Sequence, residues 1–392
     1  MPEYSITVVG SIHGVDRDSW NACGAASNPF LSWDFFALLE DCGAVSPGSS
    51  WAPAHAALAR GGAVVAYVPL FAVSGSGGSF VWDDGMEDVA VSVGLRWFPK
   101  LTGAVPFTPA PVWRPLVVPG EDDAAVMAAC AEASSELART GGFSGMHFQG
   151  VDPAFGYALR DGGWMEWKRQ AYRWDNECYA SFDDFTGSFS KNMRRNVFRD
   201  KADVSAAGVS VRTLRGDEAG DGIWRLMADY YERTNDKFGP WAARFLPRRF
   251  FELAASRIGG AVRFSAAYER GASEPVALAM LFQGNGTLWG RYWGSARDLP
   301  GLHFETCYYE PISYAIAQGL CRFDPGMGSD HKARRGFRSG LAGSFHRVFD
   351  PRLRRVYSRA VAEASRQEAM AVLALNDELP FKRPPAGDAG RK

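Results

Sequence analysis

The sequence lacks the long apolar run of a membrane-spanning chain. Its longest apolar stretch, residues 63–73, contains Tyr67 and Pro69. At about 11 residues it is well short of the roughly 20 that a bilayer-spanning helix needs. The first residues carry neither a basic region nor an apolar core, so we expect no cleaved signal peptide. We therefore predict a cytoplasmic protein with at most peripheral membrane contact.

An excess of charge of one sign is also lacking. The 43 lysines and arginines are balanced by 44 acidic residues, which leaves a formal net charge of −1. Such a chain has no overall positive field that would attract nucleic acid, and we expect no DNA partner. Any anionic ligand must be bound by a local cluster of basic side chains.

The chain lacks the motifs of a metal site and of a covalent catalyst. None of the six cysteines forms a C-x-x-C pair or lies near a histidine with zinc-finger spacing, so we expect reduced thiols and no metal. The sequence has no nucleophile elbow and no readable Ser-His-Asp order. Cys307 has no evident base partner. These absences argue against a covalent enzyme intermediate.

What the sequence does contain is an approximate duplication. Residues 55–85 and residues 265–295 each read as strand, turn, strand, turn, strand. In both segments the middle strand is long and apolar, at residues 63–71 and 276–282. A chain of 392 residues is also long enough for two domains. We therefore predict two related halves.

The pattern continues in the same order after each meander. An Ala-rich helix (122–140) is followed by a short strand (146–148) in the first half. In the second half a helix (303–318) precedes the short strand 321–324. Each half therefore reads β-β-β-α-β. The predicted fold class is α+β, with a mixed, mostly antiparallel sheet flanked by helices in each half.

The predicted boundary between the halves lies near residues 152–163, where proline and several glycines occur together. We assign residues 1–160 to the first domain and residues 161–378 to the second. Residues 379–392 are rich in Pro, Gly and charge, and we predict a disordered tail.

A basic helix is predicted over residues 191–206. Basic residues at i, i+4 and i+8 share one face of a helix, where they would suit a phosphate or diphosphate. The alternative is a solvated face whose charges pair with Asp200 and Asp203. The basic side chains are Lys191, Arg194, Arg195, Arg199 and Lys201.

The densest cluster of chemically active side chains lies between residues 288 and 337. Pro311 suggests that the regular helix of this segment begins near Glu310. The candidate catalytic residues are Glu305, His303, Tyr309 and His331. The candidate substrate- and anion-binding residues are Lys191, Arg194, Arg195, Arg291, Trp293, Asp324, Lys332 and Arg335.

This set of residues fits the transfer of an acyl group to an amine. The amine must be deprotonated and the tetrahedral oxyanion stabilised. A carboxylate, a histidine or a tyrosine can do the first, and backbone amides or cations can do the second. The alternative for each single His, and for Tyr308, is a structural role in the core.

Several segments resemble a bacterial family of predicted N-acyltransferases. They are LWGRYWG, LHFETCYYEPISYAI and GLCRFDPGMGSDHKARRGF in the second half, and NPFLSWDFFALLEDCGAV in the first. SFDDFTGSFSKNMRRNVFRDK resembles the basic helix of this family. The family comprises FemAB-like peptidoglycan biosynthesis/recognition proteins within the GNAT superfamily. The resemblance extends over residues 28–350.

The resemblance implies tandem GNAT-like (acyl-CoA N-acyltransferase) domains. It implies an acyl-donor site between two splayed strands, here residues 287–293 and 321–324. It also implies that the N-terminus of the helix after loop 294–302 can bind a pyrophosphate. The usual acyl-CoA loop pattern, Arg/Gln-x-x-Gly-x-Gly/Ala, is absent from this loop. Both acyl-CoA and aminoacyl-tRNA therefore stay open as the donor.

The expected function is that of an N-acyltransferase or aminoacyltransferase. It would form an amide on an amine of a small-molecule acceptor, a phosphate-bearing cell-wall precursor or a related metabolite. Two alternatives stay open: a non-catalytic ligand-recognition protein that retains the fold, and an amide-forming enzyme of specialised-metabolite biosynthesis.

Overall fold

A computed structural model describes residues 4–81, 83, 85–239 and 242–382 of the chain. The strands in this part are β1 Tyr4–Gly10, β2 Trp51–Pro53, β3 His55–Arg60, β4 Ala63–Val68, β5 Phe71–Val73, β6 Lys100–Gly103, β7 Leu116–Val117, β8 Gly145–Phe148, β9 Met165–Asp175, β10 Val209–Arg215, β11 Val262–Glu269, β12 Ala277–Gly284, β13 Thr287–Ser295, β14 Arg322–Asp324 and β15 Arg338–Val348. The α-helices are α1 Arg17–Ala22, α2 Trp33–Asp41, α3 Gly85–Ser92, α4 Asp123–Thr140, α5 Pro153–Asp161, α6 Phe182–Gly187, α7 Lys191–Ala206, α8 Gly220–Asp236, α9 Arg248–Ile258, α10 Leu302–Phe304, α11 Glu310–Ala317 and α12 Pro351–Asp377.

The chain folds into two compact units, and each unit is discontinuous in sequence. The first unit contains the described residues up to Gln170, together with Phe238–Gly259 and Leu341–Met370. The second contains Ala171–Lys237, Gly260–Gly340 and the described chain from Ala371 onward. The passage between the units at Gln170 lies ten residues beyond the predicted boundary at residue 160. Two segments assigned from sequence to the second half pack with the first unit: Phe238–Gly259 carries α9, and Leu341–Met370 carries most of β15 and α12.

The second unit contains the predicted meander. Strands β10, β11, β12 and β13 pair antiparallel in sequence order. Strand β14 then pairs in parallel with β13, and its other edge is antiparallel to the end of β9. The helical crossover between β13 and β14 is the one read from the sequence. This order brings the end of β13, the crossover helix and the end of β14 together.

The first unit contains a four-stranded antiparallel sheet in the order β1-β3-β4-β7. Its other strands pair in the order β15-β8-β6-β5-β2, with β6 and β8 parallel. The single apolar strand predicted over residues 63–71 is wrong. Pro69 lacks the N–H that a continuous ladder needs, and the segment divides there into β4 and β5, which belong to different sheets. The third predicted strand is also wrong, since residues 74–81 follow β5 without strand structure.

The crossover helix of the second unit begins at Leu302, one residue before the predicted helix 303–318, and its regular α-helical part, α11, begins at Glu310, as predicted. Residues Glu305–Tyr309 form a π-helical turn between α10 and α11. Pro311 lacks an N–H, and its ring would clash with the carbonyl of Cys307 in a regular α-helix. The wider turn accommodates the proline and keeps the helix continuous.

The apolar stripe of this helix lies in the core of the second unit, as predicted. Tyr308, Ile312 and Ile316 are buried and belong to one cluster, against which Phe304 packs. Aromatic residues of β9 and α6 complete the cluster. The helix is therefore fixed along one side, and its polar side chains are held in defined positions.

The predicted tail begins inside ordered structure. Phe381 forms an antiparallel bridge with Phe189, and the amide of Lys382 donates to the carbonyl of Ser188 at 2.9 Å. Disorder over residues 379–382 is therefore wrong, because backbone hydrogen bonds hold them. Residues 383–392 of the predicted tail lie outside the described residues. In the described part of the chain, no helix is both long enough and apolar enough to cross a membrane.

Candidate active site

Glu305 lies at the first position of the π-helical turn and is 8% exposed. Its Oε1 accepts a hydrogen bond from Nζ of Lys201 at 2.6 Å. Its Oε2 is buried and has no hydrogen-bond partner among the described residues. A carboxylate with one oxygen bonded and the other unoccupied can still accept a proton or an N–H.

Lys201 reaches this site from the basic helix α7. Its Nζ lies 5.0 Å from the ring centroid of Phe182 and 5.9 Å from that of Tyr309. From its position in the sequence, Lys201 is expected beside the anion-binding face of the helix. The structure instead turns it toward Glu305, away from the exposed basic residues.

Tyr309 belongs to a three-membered network with Asp200 and Arg335. The Tyr309 hydroxyl donates to Oδ2 of Asp200 at 2.7 Å and accepts from Nε of Arg335 at 3.0 Å. Nη2 of Arg335 also donates to Oδ2 of Asp200 at 3.1 Å. Burial raises the pKa of Tyr309, which keeps it a phenol at neutral pH. The network makes Tyr309 a fixed wall of the site.

His303 and His331 are joined through Tyr308. The Tyr308 hydroxyl lies 3.3 Å from Nε2 of His303 and 3.2 Å from Nε2 of His331. Burial, with a smaller contribution from nearby cations, lowers the pKa of both histidines to about 4. Both rings are therefore neutral at pH 7, and each has one nitrogen that donates and one that accepts.

Cys307 completes this chain of contacts. Its Sγ lies 3.4 Å from Nδ1 of His303, so the expectation that Cys307 has no base partner is wrong. Burial raises the pKa of the Cys307 thiol strongly. A neutral thiol beside a neutral imidazole is not an activated nucleophile.

Two of the predicted anion-binding cations are engaged inside the chain. Arg291 donates to both carboxylate oxygens of Asp324, at 3.2 and 3.1 Å, and its side chain is 2% exposed. Nζ of Lys332 donates to the carbonyls of Gly326, Met327 and Gly328. Burial lowers the pKa of Lys332 to about 8. Together these contacts fix the end of β14 and the loop that follows it.

Trp293 lies on β13 beside the histidines. Its ring is 5.0 Å from that of His303, centroid to centroid, and it packs against an apolar cluster that includes Leu302. A β-bulge at Arg291 precedes it, because Gly290 pairs with Leu281 and Tyr292 with Met280. Bulges re-aim side chains and occur often beside active sites.

Strand β14 ends at this point, whereas β13 continues. Their parallel pairing ends with Trp289 opposite Asp324, and β13 extends to Ser295. The splayed strand pair that the resemblance implies stays a prediction. At the start of the following helix, Gly301 lies directly against the backbone of Asp200, leaving no room there for a side chain.

The exposed face of α7 carries the remaining predicted cations, Lys191, Arg194 and Arg195. Arg194 lies over the ring of Phe198 at 5.4 Å, and Arg195 donates to the side chain of Asn192 at 2.8 Å. In the described part of the chain no carboxylate forms an ion pair with these three residues. Asp200, offered as an alternative partner, pairs with Arg335 instead.

Glu310 was not among the candidate residues and also lies in the site. Its Oε1 accepts from the hydroxyl of Thr213 at 2.8 Å. Burial, and then the neighbouring Glu305 carboxylate, raise the pKa of Glu310. The feature of the sequence that could have identified Glu310 is its position five residues after Glu305. A π-helical turn brings residues at that spacing toward one face, whereas an α-helix does not. No group of three or more metal-ligating side chains is found within the described residues.

Comparison with known proteins gives the family and the fold. A family model described as peptidoglycan biosynthesis/recognition, FemAB-like, matches residues 11–383. No curated protein matches the sequence. A conserved protein of unknown function from Bacteroides thetaiotaomicron is similar in structure, with a TM-score of 0.50 and 10% identity over 89% of this chain and 100% of its own.

Two further structures are similar at lower scores. FemX has a TM-score of 0.49 and 12% identity over 79% of this chain and 91% of its own. A tandem GNAT protein from the clavulanic acid biosynthesis pathway has a TM-score of 0.43 and 12% identity over 89% of this chain and 99% of its own. The α+β fold class predicted from the sequence, with mixed, mostly antiparallel sheets flanked by helices, is confirmed, and the tandem GNAT-like identity of the two units stays a prediction. The chain belongs to the FemAB-like family of peptidoglycan biosynthesis/recognition proteins.

Proposed function

We propose that the protein is an N-acyltransferase or aminoacyltransferase that forms an amide on an amine of a phosphate-bearing cell-wall precursor or a related metabolite. The single observation that carries the proposal is the buried Glu305 carboxylate, whose Oε2 has no partner within the described residues. The family description supports a cell-wall acceptor. The site belongs wholly to the second unit.

Glu305 acts as the general base in this proposal. The acceptor enters as an ammonium, and Glu305 takes one proton to expose the nitrogen lone pair. The nitrogen attacks the donor carbonyl, the bond from carbonyl carbon to leaving group breaks, and the leaving group departs with a proton. The balance is R′–NH₃⁺ plus R–CO–X giving R′–NH–CO–R, HX and one released proton.

The His303–Tyr308–His331 chain supplies proton transfer beside the base. Its members are neutral at pH 7, so each can pass a proton without first breaking an ion pair. Cys307 lies against Nδ1 of His303, which orients the ring. These residues favour one-step transfer over an acyl-enzyme.

The exposed face of α7 binds the anionic part of a substrate. Lys191, Arg194 and Arg195 carry charge that no described carboxylate neutralises. Phosphate oxygens accept well from such groups, and Arg can bind them in a bidentate manner. Either an acyl-CoA or an aminoacyl-tRNA donor, or the acceptor itself, brings the required phosphate.

The Glu305→Gln variant tests the proposal. Glutamine keeps the shape and can still accept from Lys201, but it cannot take a proton. We expect transfer to fall by about 10²- to 10⁴-fold, measured with each donor class and a panel of amine-bearing precursors. Glu177→Gln is the matched control, since Glu177 is an exposed carboxylate of the same unit paired with Arg338. Unchanged turnover in Glu305→Gln would exclude the base role. Saturable binding without turnover in the native protein would favour ligand recognition instead.

A further inference from the structure

The ammonium group of Lys201 is held in a box with three walls. Oε1 of Glu305 lies 2.6 Å from it, and the rings of Phe182 and Tyr309 lie 5.0 and 5.9 Å away. The two ring centroids are 5.8 Å apart and the planes are inclined at 57°. A carboxylate combined with aromatic faces is a favourable environment for an ammonium ion. The composition of the box defines its ligand chemistry.

The walls of the box are held by contacts that do not involve Lys201. Tyr309 is 1% exposed, and its hydroxyl is fixed by Asp200 and Arg335. Phe182 packs against the ring of Phe185, and Glu305 is part of the π-helical turn. The box therefore keeps its shape when its occupant leaves.

Lys201 makes fewer hydrogen bonds than Lys332, which also lies near an aromatic ring in this unit. Its side chain is 30% exposed, and within the described residues Glu305 supplies its one hydrogen bond. Lys332, in contrast, is 3% exposed and donates to three carbonyl oxygens. The long, flexible stem of a lysine allows its head group to move into solvent. Lys201 can thus vacate the box without disturbing α7.

Glu305 has capacity for a second donor. Its Oε2 is buried and has no partner in the described chain, while Lys201 engages Oε1. A buried carboxylate oxygen without a donor is costly, and an incoming N–H would remove that cost. The box is thus built to receive an ammonium group that can donate at least two hydrogen bonds.

We infer that the box formed by Glu305, Phe182 and Tyr309 is the binding site for the reacting amine of the acceptor, and that Lys201 occupies it in the free protein. The ligand class is a primary alkylammonium. A quaternary ammonium, which has no N–H, would leave both carboxylate oxygens without a donor and bind less well. The inference rests on the proposed function for the identity of the acceptor, but its test requires only binding.

The test empties the box and offers a replacement. We would measure the melting temperature of full-length Lys201→Ala in propylammonium chloride, in tetramethylammonium chloride and in propanol, at constant ionic strength. We expect a saturable rise with propylammonium, a smaller one with tetramethylammonium and none with propanol. The native protein, with Lys201 in place, should respond much less at the same concentrations.

The matched control is Lys168→Ala. Lys168 lies 3.8 Å from Glu166 and is 45% exposed, so it offers a lysine–glutamate pair without the box. It should show no propylammonium response beyond that of the native protein. The double variant Lys201→Ala/Glu305→Gln should lose the response of Lys201→Ala. If Lys201→Ala does not fold, Lys201→Met keeps the stem and the same comparison applies to it.

An equal response to propylammonium and propanol, or to propylammonium in Lys201→Ala and Lys168→Ala, would overturn the inference. Its failure is distinguishable from failure of the proposed function. A protein that binds propylammonium in the emptied box but transfers no acyl group retains the amine site without the chemistry. A protein whose transfer depends on Glu305 but whose emptied box ignores propylammonium takes its amine elsewhere.

Discussion

Each unit contains a short lysine–carboxylate ion pair, and the two pairs differ in their exposure to solvent. In the first unit Lys100 lies on β6 and His147 on β8, the two strands that pair in parallel on either side of α4. In the second unit β13 and β14 flank the crossover helix that bears Glu305. Lys100 is bonded to Asp83 at 2.6 Å, and both side chains are almost fully buried. Lys201 and Glu305 form an equally short pair, but Lys201 reaches solvent.

The space beyond each parallel pair also differs. In the first unit the amide of Trp113 donates to the carbonyl of Gly150 at 2.9 Å, and the amide of Asp152 to that of Trp113. The Trp113 ring stacks on Phe148 and presses against Gly103, at the end of β6. In the second unit β13 continues beyond the last residue of β14, so its final residues have no partner in β14. The first arrangement covers the end of the strand pair with an aromatic core, whereas in the second the carbonyl of Trp293 on β13 accepts a hydrogen bond from the hydroxyl of Thr234 at 2.7 Å. The Lys100–Asp83 pair is closed off from solvent, whereas Lys201 of the second pair is 30% exposed.

The largest predicted effect is on the free energy of unfolding when either lysine loses its charge. Lys100→Met leaves the Asp83 carboxylate buried without its cation, and we expect the free energy of unfolding to fall by about 3–5 kcal/mol. Lys201→Met also leaves a buried carboxylate without its cation, but Lys201 is 30% exposed and the Glu305 side chain 11%, so the loss should be smaller, about 1–3 kcal/mol. Denaturant titration of the two variants measures both values. Equal losses would remove the distinction between a closed cluster and an open one.

A matched variant sharpens the result for Lys100. Asp83→Asn combined with Lys100→Met removes both charges and keeps the volume. It should recover much of the stability, because replacing a whole buried pair costs far less than removing one partner. A double variant as unstable as Lys100→Met would show that the lost buried hydrogen bonds, not the unpaired charge, govern this position.

The second predicted effect is a loss of stability of the folded protein at acidic pH. His147 and His346 in the first unit are fully buried and joined through Nδ1 atoms 2.8 Å apart. Burial lowers the pKa of both, and that of His346 to about 3. An unfolded histidine has a pKa of about 6.5, so below that pH the unfolded state binds more protons than the folded state. Stability is therefore full above pH 6.5 and falls as the pH drops toward the folded pKa.

At pH 5 the loss for His346 should be about 2 kcal/mol relative to pH 7. The free energy of unfolding of the native protein and of His346→Gln, measured at both pH values, tests this. The variant starts less stable but should show the shallower pH dependence, since it has one fewer titrating group. Parallel pH dependences would place the proton uptake at other residues.

The sequence predicts what depends on local spacing and fails where distant residues meet. The bounds of α7 and the β11–β13 meander follow from apolar periodicity and from glycine turns. Lys201 and Glu305 are separated by 104 residues, and Asp200 and Arg335 by 135. No periodicity encodes such pairs. Lys201 therefore reads as one more cation of a basic helix, and only the packing of α7 against the π-helical turn gives it a separate role.

The same limit explains why the sequence predicts ligand binding for cations that instead contact other parts of the chain. Arg291, Lys332 and Arg335 all lie in the densest cluster, residues 288–337, where charge density alone suggests an anion site. Their partners are a strand-end carboxylate, three loop carbonyls and a helix carboxylate, which come within reach only in the folded unit. The π-helical turn shows the same limit. Pro311 indicates that the regular helix begins near Glu310, but it does not indicate the wider turn that joins this helix to the residues before it.

The smallest effect on stability is expected at the exposed face of α7, where ligand binding should change most. Arg194→Ala/Arg195→Ala removes two exposed cations that no described carboxylate neutralises, so the free energy of unfolding should change by no more than about 0.5 kcal/mol. Binding of a phosphate-bearing substrate should weaken, and the slope of log affinity against log salt should become shallower, because fewer counterions are released. The control is Arg352→Ala, an exposed arginine of the first unit paired with Asp350. If the double variant binds with native affinity and native salt dependence, α7 is only a solvated face, and the second unit would hold its anion elsewhere.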